Sequence, residues 1–216
     1  MERTILKESI LNRIRIGLKS AQFKDIEAPK MTNKQIFITP DRPLIEIFEN
    51  ELNKINGQFI YCENKEELIE NLGQLDKEKK IGLCYSPDNQ FIDILSKSGI
   101  LYIKDFEKSK EIKSGISACE FLIARYGSVM VSSKQPGARR IFSFPEIHIV
   151  IAFENQLVLE IEEGLEGIKK KYGTELPSQI TNITGPSRTA DIEKTLILGA
   201  HGPKQLIVFV LKTDDL

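Results

Sequence analysis

Apolar residues in this chain alternate, nearly from end to end, between helical spacing and short strand-like runs. From Leu6 to Leu18 an apolar residue recurs at every fourth position, which is the spacing of one face of an α-helix. Ile36 to Thr39 and Gln58 to Cys62 are instead short, mostly apolar runs of strand length. Such an alternation predicts an α/β fold, in which a largely parallel sheet is covered by helices on both faces.

The middle of the chain repeats the helix–strand unit. Pro43 is suited to the first turn of a helix that Gly57 ends, and the strand at Gln58 follows. Two further helix–strand units are predicted at 68–85 and 87–103. Repeats of this length favour parallel strands joined by crossover helices.

The C-terminal half is expected to differ in style. Ile147 to Phe153 and Gln156 to Leu159 are interpreted as a pair of strands. A strand from Ile180 to Thr184 is predicted to lead through a Gly-Pro-Ser turn into a helix that ends at Leu198. Leu206 to Leu211 is predicted as the last strand.

The sequence shows no linker, membrane span or signal peptide, and this bears on domain organisation and location. No Ser/Gly-rich linker interrupts it, which favours a single domain over residues 1–216, with the helix of residues 1–20 packed on it. The longest apolar stretch is seven residues, far below the roughly 20 of a membrane helix, and the N-terminus lacks a signal-peptide pattern. The net charge is -1, which argues against a nucleic-acid partner. We therefore expect a cytoplasmic protein without membrane or nucleic-acid partners.

Metal and redox sites are disfavoured by the few residues that would build them. The three cysteines, Cys62, Cys84 and Cys119, form no C-x-x-C pair and have apolar neighbours, so we predict buried, reduced thiols and no bound cofactor. The two histidines are too few for a zinc site, so no metal is predicted. His148 lies in an apolar run and is predicted to be a hydrogen-bonded core residue. His201 lies among small loop residues, where a binding role and simple solvation both remain open.

The segment Thr184–Glu193 has the composition of an anion-binding turn before a helix. Backbone N–H groups at a helix N-terminus attract anions, and Arg188 offers a fork of donors to an oxyanion. In the alternative interpretation Thr189 only caps the helix, and the following carboxylates complement the helix dipole. The candidate ligand groups of this segment are Gly185, Ser187, Arg188 and Thr189, whereas the carboxylates of Asp191 and Glu193 would repel an anion.

A second candidate is the basic loop Lys134–Arg140, which lies between two predicted strands. It has the charge to close over an acidic ligand, while a solvated surface loop is the open alternative.

Two stretches resemble the LUD family of bacterial lactate-utilisation proteins. The run Ile183–Glu193 followed by Gly199–Pro203 is similar to the C-terminal signature of that family, and in particular to its small, C-type member. Gly127-Ser128-Val129 after Ala124, and Arg140 before Pro145, give a second, shorter match. Arg125-Tyr126 departs from the pattern, since the family often has an acidic residue and a threonine there.

The resemblance implies a NagB/RpiA/CoA transferase-like fold, shared with sugar-phosphate isomerases and CoA transferases. It implies a component of an iron–sulfur-dependent system that oxidises L-lactate to pyruvate, with the clusters in partner proteins. This component would bind a small carboxylate or a phosphate-bearing ligand, and no catalytic residue is assigned. The predicted ligand-binding residues are Gly127, Ser128, Arg140, Gly185, Ser187, Arg188, Thr189, Asp191 and His201. Two alternatives stay open: a non-catalytic anion-binding or regulatory module on the same fold, and a free-standing isomerase or CoA-transferase-like enzyme.

Overall fold

The computed structural model describes residues 2–20, 40–79, 81–190, 196–199 and 201–212. The chain divides into two compact units, Met1–Asp41 and Arg42–Leu216. In the first unit the described residues include helix α1, Glu2–Ser20, which confirms the predicted first helix. The strand predicted at Ile36 to Thr39 lies outside the described residues. The packing of residues 1–20 on the rest of the chain stays a prediction.

The second unit alternates helices and strands as the sequence predicts. Its described helices are α2 Leu44–Lys54, α3 Lys65–Lys79, α4 Ile92–Ser98, α5 Ala138–Ile141 and α6 Ile161–Tyr172. Its described strands are β1 Gln58–Cys62, β2 Leu83–Tyr85, β3 Tyr102–Ile103, β4 Ile112–Ser117, β5 Phe121–Ile123, β6 Ser128–Ser132, β7 Ile147–Phe153, β8 Leu157–Val158, β9 Ile180–Ile183, β10 Arg188–Ala190, β11 Leu196–Leu198 and β12 Gln205–Leu211.

Six strands form one parallel sheet in the order β1-β12-β7-β4-β2-β3. Successive side chains of β12 point to opposite faces, so Ile207 and Phe209 pack in one core cluster and Val208 in the other. Helices α3 and α4 contribute to the first cluster and α2 to the second, with Phe48 fully buried. Helices on both faces explain why the central strands are continuously apolar. The predicted fold class is confirmed.

A second, four-stranded sheet has the order β8-β5-β6-β9 and includes antiparallel pairs. Helix α6 packs against it through Ile168, in a small cluster with Ile123 and Met130. The predicted pairing of β7 with β8 is wrong. The turn Glu154–Gln156 carries the chain from the first sheet to the second, so the two strands belong to different sheets.

The helix predicted between Thr189 and Leu198 is wrong at both of its described ends. Strands β10 and β11 pair there as an antiparallel ladder, and the Gly199 amide donates to the Ser187 carbonyl beyond it. The pattern was ambiguous because a short apolar run such as Leu196–Leu198 suits a strand as well as a buried helix. Gly199, with φ +79°, therefore follows a strand and does not cap a helix.

The order of the large sheet creates a crevice at the carboxyl ends of two neighbouring strands. From β2 the chain continues to β3, on one side, whereas from β4 it reaches β7, on the other side. The connections after β2 and β4 thus leave in opposite directions. In open α/β sheets such a switch point is where ligands bind.

Candidate functional site

A cavity of about 280 Å³ lies at this switch point, and we call it the crevice. Its walls come from the segments after β2 and β4, which contribute Asp88 and Cys119, and from the end of β7, which contributes Phe153. The loop after β6 adds Lys134, and the end of α6 adds Lys171. The crevice is therefore assembled from five parts of the chain that are far apart in sequence.

The crevice combines an apolar base with basic side chains. Phe91 and Ile151 are buried residues of the large core cluster, and they line it. Lys134 and Lys171 also line it, whereas Asp88 is the carboxylate among the lining residues. The Lys134 ammonium is 3.8 Å from Glu175, whose side chain is 86% exposed, so water screens this pair strongly. An apolar base next to the Lys134 ammonium suits a small organic anion.

A buried carboxylate fixes one side of the crevice. The Glu120 side chain is fully buried and accepts hydrogen bonds from Ser132 Oγ at 2.6 Å, Tyr172 Oη at 2.8 Å and Lys171 Nζ at 2.8 Å. We call these four residues the Glu120 cluster. Its bonds hold the Lys171 ammonium and the Tyr172 ring, both of which line the crevice, in defined positions.

The ionisation of the Glu120 cluster follows from its contacts. Burial raises the pKa of Glu120, but the hydrogen bonds from Lys171, Ser132 and Tyr172 outweigh burial and lower it below its ordinary value. For Lys171 burial lowers the pKa, and the bond to Glu120 more than reverses this effect. Both groups are thus charged at neutral pH. Burial and the bond to Glu120 raise the pKa of Tyr172.

The other polar groups of the crevice are less available. The Gln156 amide donates to the Cys119 carbonyl at 2.8 Å and accepts from the Phe153 amide at 2.8 Å. The Cys119 thiol is buried, and burial raises its pKa, which makes it a poor nucleophile at neutral pH. Lys134 is therefore the side chain best placed to meet an incoming anion.

The structure brings most of the sequence-predicted site residues together at another place, the C-terminal end of α2. A Cβ added to Gly127 would lie 2.2 Å from the Leu52 nitrogen, so only glycine lets this turn approach the helix. Gly185, with φ +81°, packs against the Ile55 carbonyl, to which Arg188 donates a hydrogen bond. A guanidinium at this position satisfies a helix-terminal carbonyl and complements the dipole.

The two matching segments meet directly at this location. Ser128 Oγ lies 2.9 Å from Thr184 Oγ1, because β6 and β9 pair in antiparallel register. The Ser187 amide donates to the Pro203 carbonyl at 2.8 Å, and the His201 amide donates to Ser187 Oγ at 3.3 Å. The His201 side chain is exposed.

This cluster lies at the amino ends of the parallel strands, away from the crevice. The Lys204 amide, just before β12, donates to the carbonyl of Glu146, just before β7. Thr189 pairs through its backbone with Ile197 in the hairpin, and Asp191 lies outside the described residues. The contacts give the signature a structural role, in which it clamps α2 to the loop before β12. Its predicted role in ligand binding stays a prediction.

Arginines of the second match have separate partners. Arg140 forms an ion pair with Glu107 at 2.8 Å and lies over the Phe106 ring, away from the signature. Arg125 donates to Glu160 at 2.5 Å, and both side chains are largely buried. The departure from the family pattern at Arg125 thus forms an ion pair at the start of α6.

Several expectations about buried groups are confirmed. Cys62, Cys84 and Cys119 are buried and free of disulfides. His148 is buried, and its Nε2 lies 2.9 Å from Ser117 Oγ, as expected for a core histidine. Burial lowers the pKa of His148 to about 3.

Among the described residues, no group of three or more His, Cys, Asp and Glu side chains is arranged to hold a metal ion. The absence of a bound metal stays a prediction.

The Glu120 cluster is not apparent from the sequence, although one signal is present. Glu120 is a lone carboxylate inside the otherwise apolar stretch from Ala118 to Ala124. A charged residue in such a stretch requires buried partners. Its partners Lys171 and Tyr172 are about fifty positions away, and nothing in local spacing connects them.

Within the described part of the chain, no helix has the length and apolar character needed to cross a membrane.

Comparison with known proteins places these features in a family. Lactate utilization protein C 1 of Bacillus mycoides is 30% identical over 156 residues, which cover 64% of this chain and 67% of that protein. Lactate utilization protein C of Bacillus subtilis is 30% identical over 113 residues, 51% of this chain and 47% of that protein. The chain thus spans about half the length of several curated relatives.

The fold is also found in a solved structure. The crystal structure of a DUF162 family protein from Deinococcus radiodurans superposes with a TM-score of 0.55 at 18% identity. The superposition covers 78% of this chain and 96% of that one. At this identity the likeness concerns the fold alone. The LUD domain family model matches residues 45–211, most of the second unit, and the chain therefore belongs to the LUD domain family.

Proposed function

We propose that this chain is a component of a lactate-utilisation system and binds a small carboxylate, the class of L-lactate and pyruvate, in the crevice. The relatives named lactate utilization protein C support the role in lactate utilisation. The observation that carries the choice of site is the pair Lys134 and Lys171 at the switch point of the sheet. The Lys134 ammonium would contact the ligand carboxylate, with Lys171 held beside it by Glu120, while Phe91 and Ile151 suit the short apolar part of the ligand.

We propose that iron–sulfur partner proteins carry out the electron transfer. We also propose that the system works in the cytoplasm. Oxidation of L-lactate to pyruvate releases two electrons, which need an acceptor. Cys62, Cys84 and Cys119 are buried, and among the described residues they are not grouped with further His, Cys, Asp or Glu side chains as cluster ligands would be, so we assign the clusters to partner proteins. The chain would then hold the ligand while its partners carry the redox centre.

A second candidate function is supported by the state of the crevice thiol. Since burial raises the pKa of Cys119, it is no activated nucleophile. A regulatory module that binds the carboxylate without converting it is consistent with this environment. Turnover of lactate by the chain together with its partners would exclude this candidate.

Ligand binding is tested by the melting temperature of the purified chain with lactate, pyruvate and other small acids. A ligand present at about a hundredfold its dissociation constant stabilises the folded state by roughly 2.7 kcal/mol. We expect a shift with lactate or pyruvate that Lys134→Ala abolishes and that Lys77→Ala, an exposed lysine on α3, retains. Arg188→Ala should also retain the shift.

Two results would contradict the crevice as the site. A shift that survives Lys134→Ala but disappears in Arg188→Ala would place the ligand at the signature turn. No shift with any small acid would show that the chain alone lacks a competent site.

The role in lactate utilisation has its own test. The chain is mixed with the iron–sulfur proteins of the same system, and lactate oxidation is followed with and without it. Unchanged oxidation in its absence would refute the proposed role.

A further inference from the structure

A second cavity, of about 440 Å³, adjoins the crevice and has a different chemistry. Gln135 lines both. The hydroxyl-bearing residues Tyr85, Ser133 and Ser178 and the arginines Arg139 and Arg140 also line the second cavity, together with Gly137 and Ala138. Its volume is in the range of small-molecule sites, roughly 300–1,000 Å³.

The two arginines are differently committed. Arg140 is held by Glu107 at 2.8 Å, but both side chains are about half or more exposed, so this pair is weak. Arg139 donates to Ser178 Oγ at 3.3 Å, and the described residues include no carboxylate in ion-pair contact with it. Arg139 therefore retains most of its five donors and its full charge for a ligand.

Ser178 contacts this guanidinium directly, and Ser133 contacts Ser178. Ser133 Oγ lies 3.1 Å from Ser178 Oγ, so the two serines form a continuous polar strip with Arg139. A Cβ at Gly137 would lie 2.9 Å from the Tyr85 hydroxyl, which shows how closely the loop approaches this group. The donors thus converge from three separate segments of the chain.

This donor set matches a phosphate better than a carboxylate. A carboxylate has two oxygens in one plane, which a single arginine fork satisfies. A phosphomonoester has three terminal oxygens and nearly two negative charges, and it needs donors from several directions. Two guanidinium groups and three hydroxyl groups supply them.

We infer that this second cavity binds the phosphate group of a small phosphorylated ligand, with Arg139 as its principal contact. The site is distinct from the carboxylate site proposed in the crevice, and it would stand if that proposal failed. The two sites together would let the domain bind two different anions.

The experiment is calorimetric titration of the whole chain with inorganic phosphate and with glycerol phosphate. Arg139→Ala should weaken phosphate binding at least about tenfold, which is the loss of one charge-assisted contact. Arg139→Lys keeps the charge but loses the planar fork, so it should recover only part of the affinity. Arg15→Ala, which removes an exposed arginine of α1, is the control and should bind as the parent does.

Several outcomes would overturn the inference. These are absence of phosphate binding by the parent chain, and phosphate affinity that Arg139→Ala leaves unchanged while circular dichroism shows the variant folded. Equal affinity for sulfate and phosphate would indicate a general anion surface. Loss of both lactate and phosphate binding in Arg139→Ala would reveal one shared site. The carboxylate proposal is tested separately, by lactate binding in Lys134→Ala, and its failure would leave the phosphate result unchanged.

Discussion

Replacing Glu120 by glutamine tests whether the Glu120 cluster stabilises the fold as its geometry indicates. The substitution keeps the shape of the side chain and removes only its charge. Glutamine Oε1 still accepts hydrogen bonds from Ser132 and Tyr172, both of which contact the same oxygen of Glu120. The other oxygen, which contacts Lys171, is replaced by an NH2 group that faces an ammonium. Glu120→Gln should therefore destabilise the folded chain.

The expected loss of unfolding free energy follows from the three hydrogen bonds that Glu120 accepts. A hydrogen bond to a charged group contributes roughly 1.5–3 kcal/mol and a neutral one roughly 0.5–1.5 kcal/mol, so each retained bond loses about 1 kcal/mol. The bond from Lys171 is lost altogether, but that side chain is 56% exposed and can turn to water, which reduces the cost. We expect a total loss of roughly 2–3 kcal/mol, or a melting temperature lower by about 5–10 °C for a domain of this size.

Urea denaturation at pH 7 measures this loss directly. Glu70→Gln, an exposed glutamate of α3, is the matched control and should lie within about 0.5 kcal/mol of the parent. If Glu120→Gln also lies within that range, with an unchanged dependence on urea, the assignment of stability to this cluster is wrong.

Lowering the pH provides a second test with the same two proteins, the parent chain and Glu120→Gln. The pKa of Glu120 is lowered by folding from its ordinary value of 4.5, so its stabilisation is fully present above pH 4.5. It is lost as the pH falls through the lower pKa of the folded state. The difference in unfolding free energy between the parent and Glu120→Gln should therefore shrink in that window.

Two further substitutions test close packing and a buried histidine. Gly127→Ala should destabilise the chain by more than about 2 kcal/mol, because its Cβ would overlap the backbone of Leu52. The control Gly99→Ala, also at positive φ but in open space, should destabilise it by about 1 kcal/mol. Comparable losses of unfolding free energy in urea would contradict this account. His148 has a pKa of about 3 in the folded state, so below pH 6.5 only the unfolded chain binds a proton at this residue. The unfolding free energy should therefore fall by about 1.4 kcal/mol for each pH unit between pH 6.5 and 4. His148→Gln should remove this slope, whereas His201→Gln, at an exposed histidine, should retain it.

Helix–strand alternation was predictable because each element carries its own period. The strand Gln58–Cys62 and the helix end at Gly99 coincide with their predictions, since local turn chemistry marks them. The segment around Leu196–Leu198 failed for the opposite reason. Three consecutive apolar residues do not distinguish a strand from a buried helix, and the partner strand Arg188–Ala190 decides.

The sequence does not show that the two signature segments meet, nor where their contact lies. Their positions in the sequence do not show that Gly127 and Gly185 both pack on the end of α2, since that depends on how β6 and β9 pair. A glycine required for close packing and a glycine required for a phosphate leave the same mark in a sequence. Only the atoms that a Cβ would meet separate the two, and here those atoms belong to Leu52 and Ile55.

The crevice was hidden from sequence reasoning because strand order creates it. Nothing near Asp88 or Cys119 indicates that the connections after β2 and β4 leave in opposite directions, since that is a property of the sheet. The sequence indicates the basic loop, yet its Lys134 becomes a candidate contact only because the fold brings it into the same cavity as Lys171. Residues that stabilise the fold are recognisable from local pattern, whereas a binding site assembled at a switch point depends on contacts between distant segments. The signature thus identifies the family, and the topology indicates where a ligand should be sought.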